Sequence, residues 1–219
     1  MADINTQVNT VEALAVALYA FRCNTKVVKV DDREGLTPNI KYLLNYFSDT
    51  ESDKITLTTE LKQEAENLRT WYQHSTTMSL LTNGHINDFQ KSIAELVAKD
   101  TVNPARFGVL VWAPKLYSDQ QARDDVREKI MHIGYRSKHI GKEKQKIIVN
   151  FTLLEKRWHR DYNIWTAFGH DEHNNLVRFM SKHEDRCATG QIQGRVKQHR
   201  NEFYHGGACV TVLNFVKAI

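Results

Sequence analysis

A chain of 219 residues, 41% hydrophobic and 26% charged, is long enough for one sizeable domain or two small ones and too apolar to be disordered throughout. Its net charge of +4 is unevenly placed: residues 136–219 carry 15 Lys and Arg against 8 Asp and Glu, whereas 1–135 carry 15 against 18. That asymmetry predicts a C-terminal unit that meets a polyanion and an N-terminal unit that does not.

In chain order, the first apolar run is "VEALAVALYAF", 11–21. It contains Glu12, is followed by Arg22 and is too short to cross a bilayer, so it reads as an amphipathic core helix with Thr10 as its N-cap. "TPNIKYLLNYF", from Thr37, places Pro38 in a first helical turn, with Ile40, Leu43, Leu44 and Phe47 on one stripe. Residues 58–74 and 86–100 have the same helical period. The segment 103–114, "NPARFGVLVWAP", suits a short buried strand or an apolar turn. A last helix is predicted over about 117–133 with Ser118 as its cap.

After Gly141 the apolar period changes from about 3.6 to 2. "KIIVNFTLLEKRWH", "YNIWTAFGH", "LVRFMSK", "GQIQGRVKQH" and "ACVTVLNFVK" are five successive strands joined by short polar or glycine-marked turns. The predicted fold class is therefore α+β: a helical domain over 1–135, then a five-stranded OB-like β-barrel over 136–219. A fragment of a β-sandwich is the alternative that periodicity leaves open.

The closing residues Gly194, Val196, Lys197 and His199, then Gly206 or Gly207, Thr211, Leu213, Val216 and Lys217 form a pattern. It resembles that of a module near the C-terminus of many phage-encoded proteins, which have a helical N-terminal half and an OB-like barrel. The hairpin "TAFGHDEHNNLVRFMSK" is similar to that module's second and third strands around an Asp-x-x-Gly-Asn turn. Asp171 and Asn175 match it, and Asn174 stands for the glycine, since asparagine tolerates a left-handed turn. The resemblance covers about 80 residues and implies a role in phage replication, recombination or a related DNA transaction in the host cytoplasm.

Single-stranded nucleic acid is held by bases stacked on aromatic rings and phosphates tracked by Lys and Arg. The densest cluster of both types is "EKRWHR", giving Lys156, Arg157, Trp158 and Arg160 as candidates. If the second strand buries Tyr162, Ile164 and Phe168, Trp165 points outward, and Phe179 lies beside it when the third strand turns Val177 and Phe179 out. The sequence allows the opposite facing equally. Arg195, Lys197 and Arg200 on the fourth strand, with Phe203 and Tyr204 in the loop after it, form the other bank of the expected groove. RNA stays open beside DNA as the ligand.

No phosphate loop, nucleophile elbow, dinucleotide fingerprint or zinc-protease helix occurs, so the reading is a binding protein without catalytic residues. Neither cofactor nor metal is expected. The pairs His170/His173 and His183/Cys187 fall at opposite ends of one strand, roughly 20 Å apart, too far to share one ion. The cluster His170, Asp171, Glu172, His173 occupies a predicted turn, where polar residues belong anyway, although a metal-dependent nuclease is a third reading. Cys23, Cys187 and Cys209 are too few and too scattered for a disulfide framework and fit a reducing compartment. The expectation is thus sequence-tolerant binding of single-stranded DNA by the barrel, without a membrane. The helical half would dock a replisome component, a host protein or a second copy of the chain. The alternative is a phage interaction or inhibitor protein that engages a host factor through the helices and uses the barrel as a scaffold.

Overall fold

The structure, a computed structural model, describes residues 7–30, 35–48, 55–81, 87–202 and 206–219, the side chains of 76–81 excepted. The chain divides into two compact units, Met1–Gln120 and Gln121–Ile219. Residues 121–135, assigned above to the helical domain, thus fall within the second unit.

The first unit is helical. Helix α1 (Thr10–Asn24) is capped by Asn9, whose side chain accepts from the Glu12 amide at 3.0 Å, so the cap lies one residue before Thr10. Its consecutive residues Ala13, Leu14, Ala15, Val16 and Ala17 are all fully buried. A helix buried all round is central, and its alanines let the neighbours come close. Those neighbours are α2 (Asn39–Phe47) and α3 (Thr59–Leu81); α4 (Asp88–Ala98) packs on α3. Pro38 is the N-cap of α2 rather than a residue of its first turn. Asn87 and Gln90 form a reciprocal capping box on α4. The strands β1 (Val8–Asn9) and β2 (Thr101–Val102) pair antiparallel, a two-residue ladder too short to show a period in sequence.

The segment expected as strand or turn is helical instead. A 3-10 turn at Pro104–Arg106 leads to α5 (Phe107–Leu110), and α6 (Ala113–Gly134) follows. Asn103 starts it by accepting from the Ala105 amide at 2.8 Å, and Phe107 packs on Phe47 in the core. Helix α6 begins five residues before Ser118, because Pro114 is harmless in a first turn.

The second unit holds five longer strands: β3 (Lys146–His159), β4 (Ile164–His170), β5 (Leu176–Ser181), β6 (Gly190–Glu202) and β7 (Ala208–Ala218). They follow the order β3-β4-β5-β7-β6 and close back on β3 as a barrel, with only β5 and β7 parallel. Val149, Phe151, Ala167, Val177, Phe179, Ile192, Val196, Leu213 and Val216 fill the inside. Gly169 faces the same way, where a Cβ would come 2.1 Å from the Thr152 carbonyl oxygen and 2.6 Å from the Phe151 ring. Only glycine fits there. A second cluster lies outside the barrel, where Val126, Ile130 and Ile133 of α6 cover Phe168, Leu176 and Val210. These contacts are why residues 121–134 belong with the strands.

The β3 entry is laced to the barrel. The Ser137 hydroxyl donates to the Cys209 carbonyl at 2.6 Å and accepts from the Leu176 amide at 2.8 Å, and the Ile140 amide donates to Thr211 Oγ1 at 3.0 Å. Cys187 is buried in the barrel core, and that burial pushes its thiol pKa up, whereas Cys23 is exposed. Brief alkylation at neutral pH is therefore expected to modify Cys23 and spare Cys187 until the protein unfolds, as read by peptide mass mapping.

Candidate nucleic-acid interface

The barrel exterior carries the site, which begins beside Phe168 at the edge of the patch that α6 covers. A bulge between Leu153 and Glu155 changes the register of β3 against β4, so that Arg157 pairs with Thr166 and Lys156 with Ala167. Ala167 faces the barrel interior, so Lys156, Trp158 and Trp165 share its side of the ribbon. Glu155, Arg157, His159 and Thr166 take the outer side.

Three concavities adjoin one another across this outer surface. The first, about 240 Å³, is lined by Arg157, His159, Thr166, Arg178 and Met180, with Glu155 and Glu202. The second, about 170 Å³, shares Arg178 and Met180 with it and adds Lys197, Arg200, Asn214 and Phe215. The third, about 360 Å³, shares Phe215 with the second and adds Lys144, Lys146, Gln193 and Arg195. Together they make one track from β4 across β5, β7 and β6 to the start of β3. At about 4.8 Å per strand step, that path is roughly 20 Å long.

Seven cations line the track: Lys144, Lys146, Arg157, Arg178, Arg195, Lys197 and Arg200, against the carboxylates Glu155 and Glu202. Glu202 pairs with Arg178 at 2.6 Å, with both side chains largely buried, so its charge is offset where it lies. Two large apolar side chains stand in solvent along the track, Met180 at 56% and Phe215 at 77% exposure. Phe215 has φ 53°, a left-handed backbone uncommon for a bulky residue. That bulge turns its ring outward while Leu213 and Val216 stay inside.

Of the residues expected from sequence, Arg157, Arg195, Lys197 and Arg200 line this track. Lys156, Trp158 and Trp165 form a separate cluster on the other side of the β3–β4 ribbon. The two indoles pack at 5.0 Å between ring centroids. The Lys156 ammonium lies 5.2 Å from the Trp165 ring and pairs with Glu184 at 2.7 Å. Trp165 is half-buried against the barrel core, and Trp158 keeps 39% of its surface exposed. Arg160 is exposed in the 3-10 turn between β3 and β4. Phe203 and Tyr204 lie outside the described residues.

Phe179 is a correction. It is fully buried and packs edge-on against Phe151 at 5.2 Å, so it has no face to offer a base. The expected facing of the second strand is reversed for the same reason. Ala167 and Gly169 point inward, Tyr162 is 79% exposed, and Phe168 is buried on the outside beneath α6. A small residue at 167 leaves room inside the barrel for the Phe179 ring opposite it.

The turn 171–175 is structural. Asp171 accepts from the His173 and Asn175 amides at 2.9 and 2.7 Å, and from the Asn175 side chain at 2.9 Å. Asn174 takes the left-handed conformation, φ 63°. Both oxygens of the buried Asp171 carboxylate are thus committed to the loop. Among the described residues, no group of three or more His, Cys, Asp or Glu is placed to hold a metal ion.

Sequence reasoning missed Lys144, Lys146, Arg178, Met180 and Phe215. A signal for the last existed: the apolar positions Leu213 and Val216 are three apart, not two, as a bulged strand requires. Comparison with protein-family models, with curated proteins and with solved structures returned no match.

Proposed function

We propose that the C-terminal unit is an OB-type module and that the protein binds single-stranded DNA along this track without sequence preference. The fold supports the reading, because a closed five-stranded barrel with one parallel pair has the Greek-key character of that architecture. The observation that carries it is the continuity of the three concavities, which places seven cations and two exposed apolar side chains on one path. Phosphates follow the cations and bases lie over Met180 and Phe215. Backbone-directed contacts of this kind fix a strand without reading its bases. A place for this binding in phage replication or recombination rests on the sequence resemblance. Among the described residues, no helix is long and apolar enough to cross a membrane.

The test is a titration of a labelled oligo-dT by the full chain at several salt concentrations. With about five phosphates engaged, the logarithm of the affinity should fall with the logarithm of salt at a slope of about −3.5. Trp158 and Trp165 face away from the track, so intrinsic tryptophan emission should change little on binding. Undetectable binding at low salt removes the proposal. Tighter binding of an equal-length oligo-U transfers it to RNA, and a strong emission quench moves the strand to the indole side of the ribbon.

A further inference from the structure

We propose that the concavity formed by Lys144, Lys146, Arg195 and Phe215 is a mononucleotide subsite. It takes one base on the Phe215 ring and the adjoining phosphate among the three cations. The inference rests on the single-strand reading and deepens it, naming what one place on the track holds.

The volume, about 360 Å³, suits a small ligand, for which sites span about 300–1,000 Å³. Among the described residues no carboxylate lines it, so no negative side chain within the concavity offsets the three cations. The Arg195 Nε donates to the Lys144 carbonyl at 2.9 Å, which fixes the plane of the guanidinium. Lys146 stands directly opposite Arg195 in the β3–β6 register. The loop before β3 is tied down on both sides of Lys144: its amide donates to the Val196 carbonyl at 2.8 Å, and the Val196 amide donates to the Gln145 carbonyl at 2.9 Å.

Backbone conformation points to the same place. Among the described residues of the second unit, the non-glycine ones with positive φ are Lys144 (68°), Asn163 (48°), Asn174 (63°) and Phe215 (53°). Asparagine tolerates this conformation, whereas lysine and phenylalanine rarely adopt it. Both unusual residues line the one concavity. Strain of this kind persists where surrounding structure enforces it, and it gathers at ligand sites. Here it sets an aromatic ring in water beside three cations, an arrangement that neither packing nor solubility requires. A phosphate alone would use the cations and leave the ring idle. A nucleotide uses both.

The experiment follows backbone amides of the full-length protein by NMR during titration with thymidine monophosphate, thymidine and inorganic phosphate. The monophosphate should shift the amides of Lys144, Lys146, Arg195 and Phe215, with thymidine and phosphate each binding about tenfold more weakly or less tightly still. Phe215→Gly accepts the left-handed conformation without strain, so its melting temperature should be unchanged or raised while the preference for monophosphate over phosphate disappears. Equal binding of monophosphate and phosphate by the parent protein overturns the subsite, as does a Phe215→Gly protein that keeps the preference. Oligo-dT separates the two readings. If the parent binds oligo-dT and Phe215→Gly binds it equally well, the subsite fails and the strand reading stands. If monophosphate binds here but oligo-dT does not bind at all, the strand reading fails and the subsite stands.

Discussion

Phe179→Ala is expected to destabilise the C-terminal unit by about 3–5 kcal/mol, the usual loss for a buried phenylalanine truncated in a packed core. Phe179 is fully buried, its ring meets Phe151 edge-on, and Ala167 lies opposite it, too small to fill the space vacated. Small barrels have little redundancy in their cores, and one ring is a large share of the contents. Urea unfolding followed by circular dichroism measures the loss. A change below about 1 kcal/mol would mean that the ring does not occupy the barrel interior.

Replacing Arg157, Lys197 and Arg200 together by alanine is expected to weaken oligo-dT binding on the order of 100-fold at 50 mM salt and to flatten the salt dependence by about 2 logarithmic units of slope. All three are exposed, line the first two concavities and form no ion pair among those described, so their removal leaves no buried charge behind. The unfolding midpoint should stay close to that of the parent, since surface substitutions of this kind usually change stability by less than about 0.5 kcal/mol. Arg178 is left in place because its pairing with Glu202 is largely buried, and breaking it would mix a stability effect into the binding result. Unchanged affinity and slope in the triple variant would show that the strand follows another surface. The control is Lys156→Ala on the indole side of the ribbon, which should leave the slope as it is.

These two variants separate what holds the barrel from what holds the ligand. Phe179 and Phe215 are both phenylalanines in adjacent strands β5 and β7, yet one is sealed inside and the other is in water. Nothing in residue type distinguishes them. The difference is one of facing: Phe179 follows the alternation of β5, whereas Phe215 sits in a bulge that breaks the alternation of β7.

The sequence by itself determined the α+β class, most of the helices and the five strands, because amphipathic period and turn chemistry are local properties. It also placed the excess of positive charge in the last third of the chain and four of the cations that line the track. Tertiary structure alone decided which face of each strand lies inside. A register offset of one residue exchanges the two faces without altering composition or period, and the β3 and β7 bulges are offsets of that kind. It also decided that the second half of α6 covers Phe168, Leu176 and Val210 on the outside of the barrel, so that the track begins beside the helix. That Lys144 and Lys146, far from Phe215 in sequence, share a concavity with it follows from the closure of the ring, a long-range pairing that no local pattern contains.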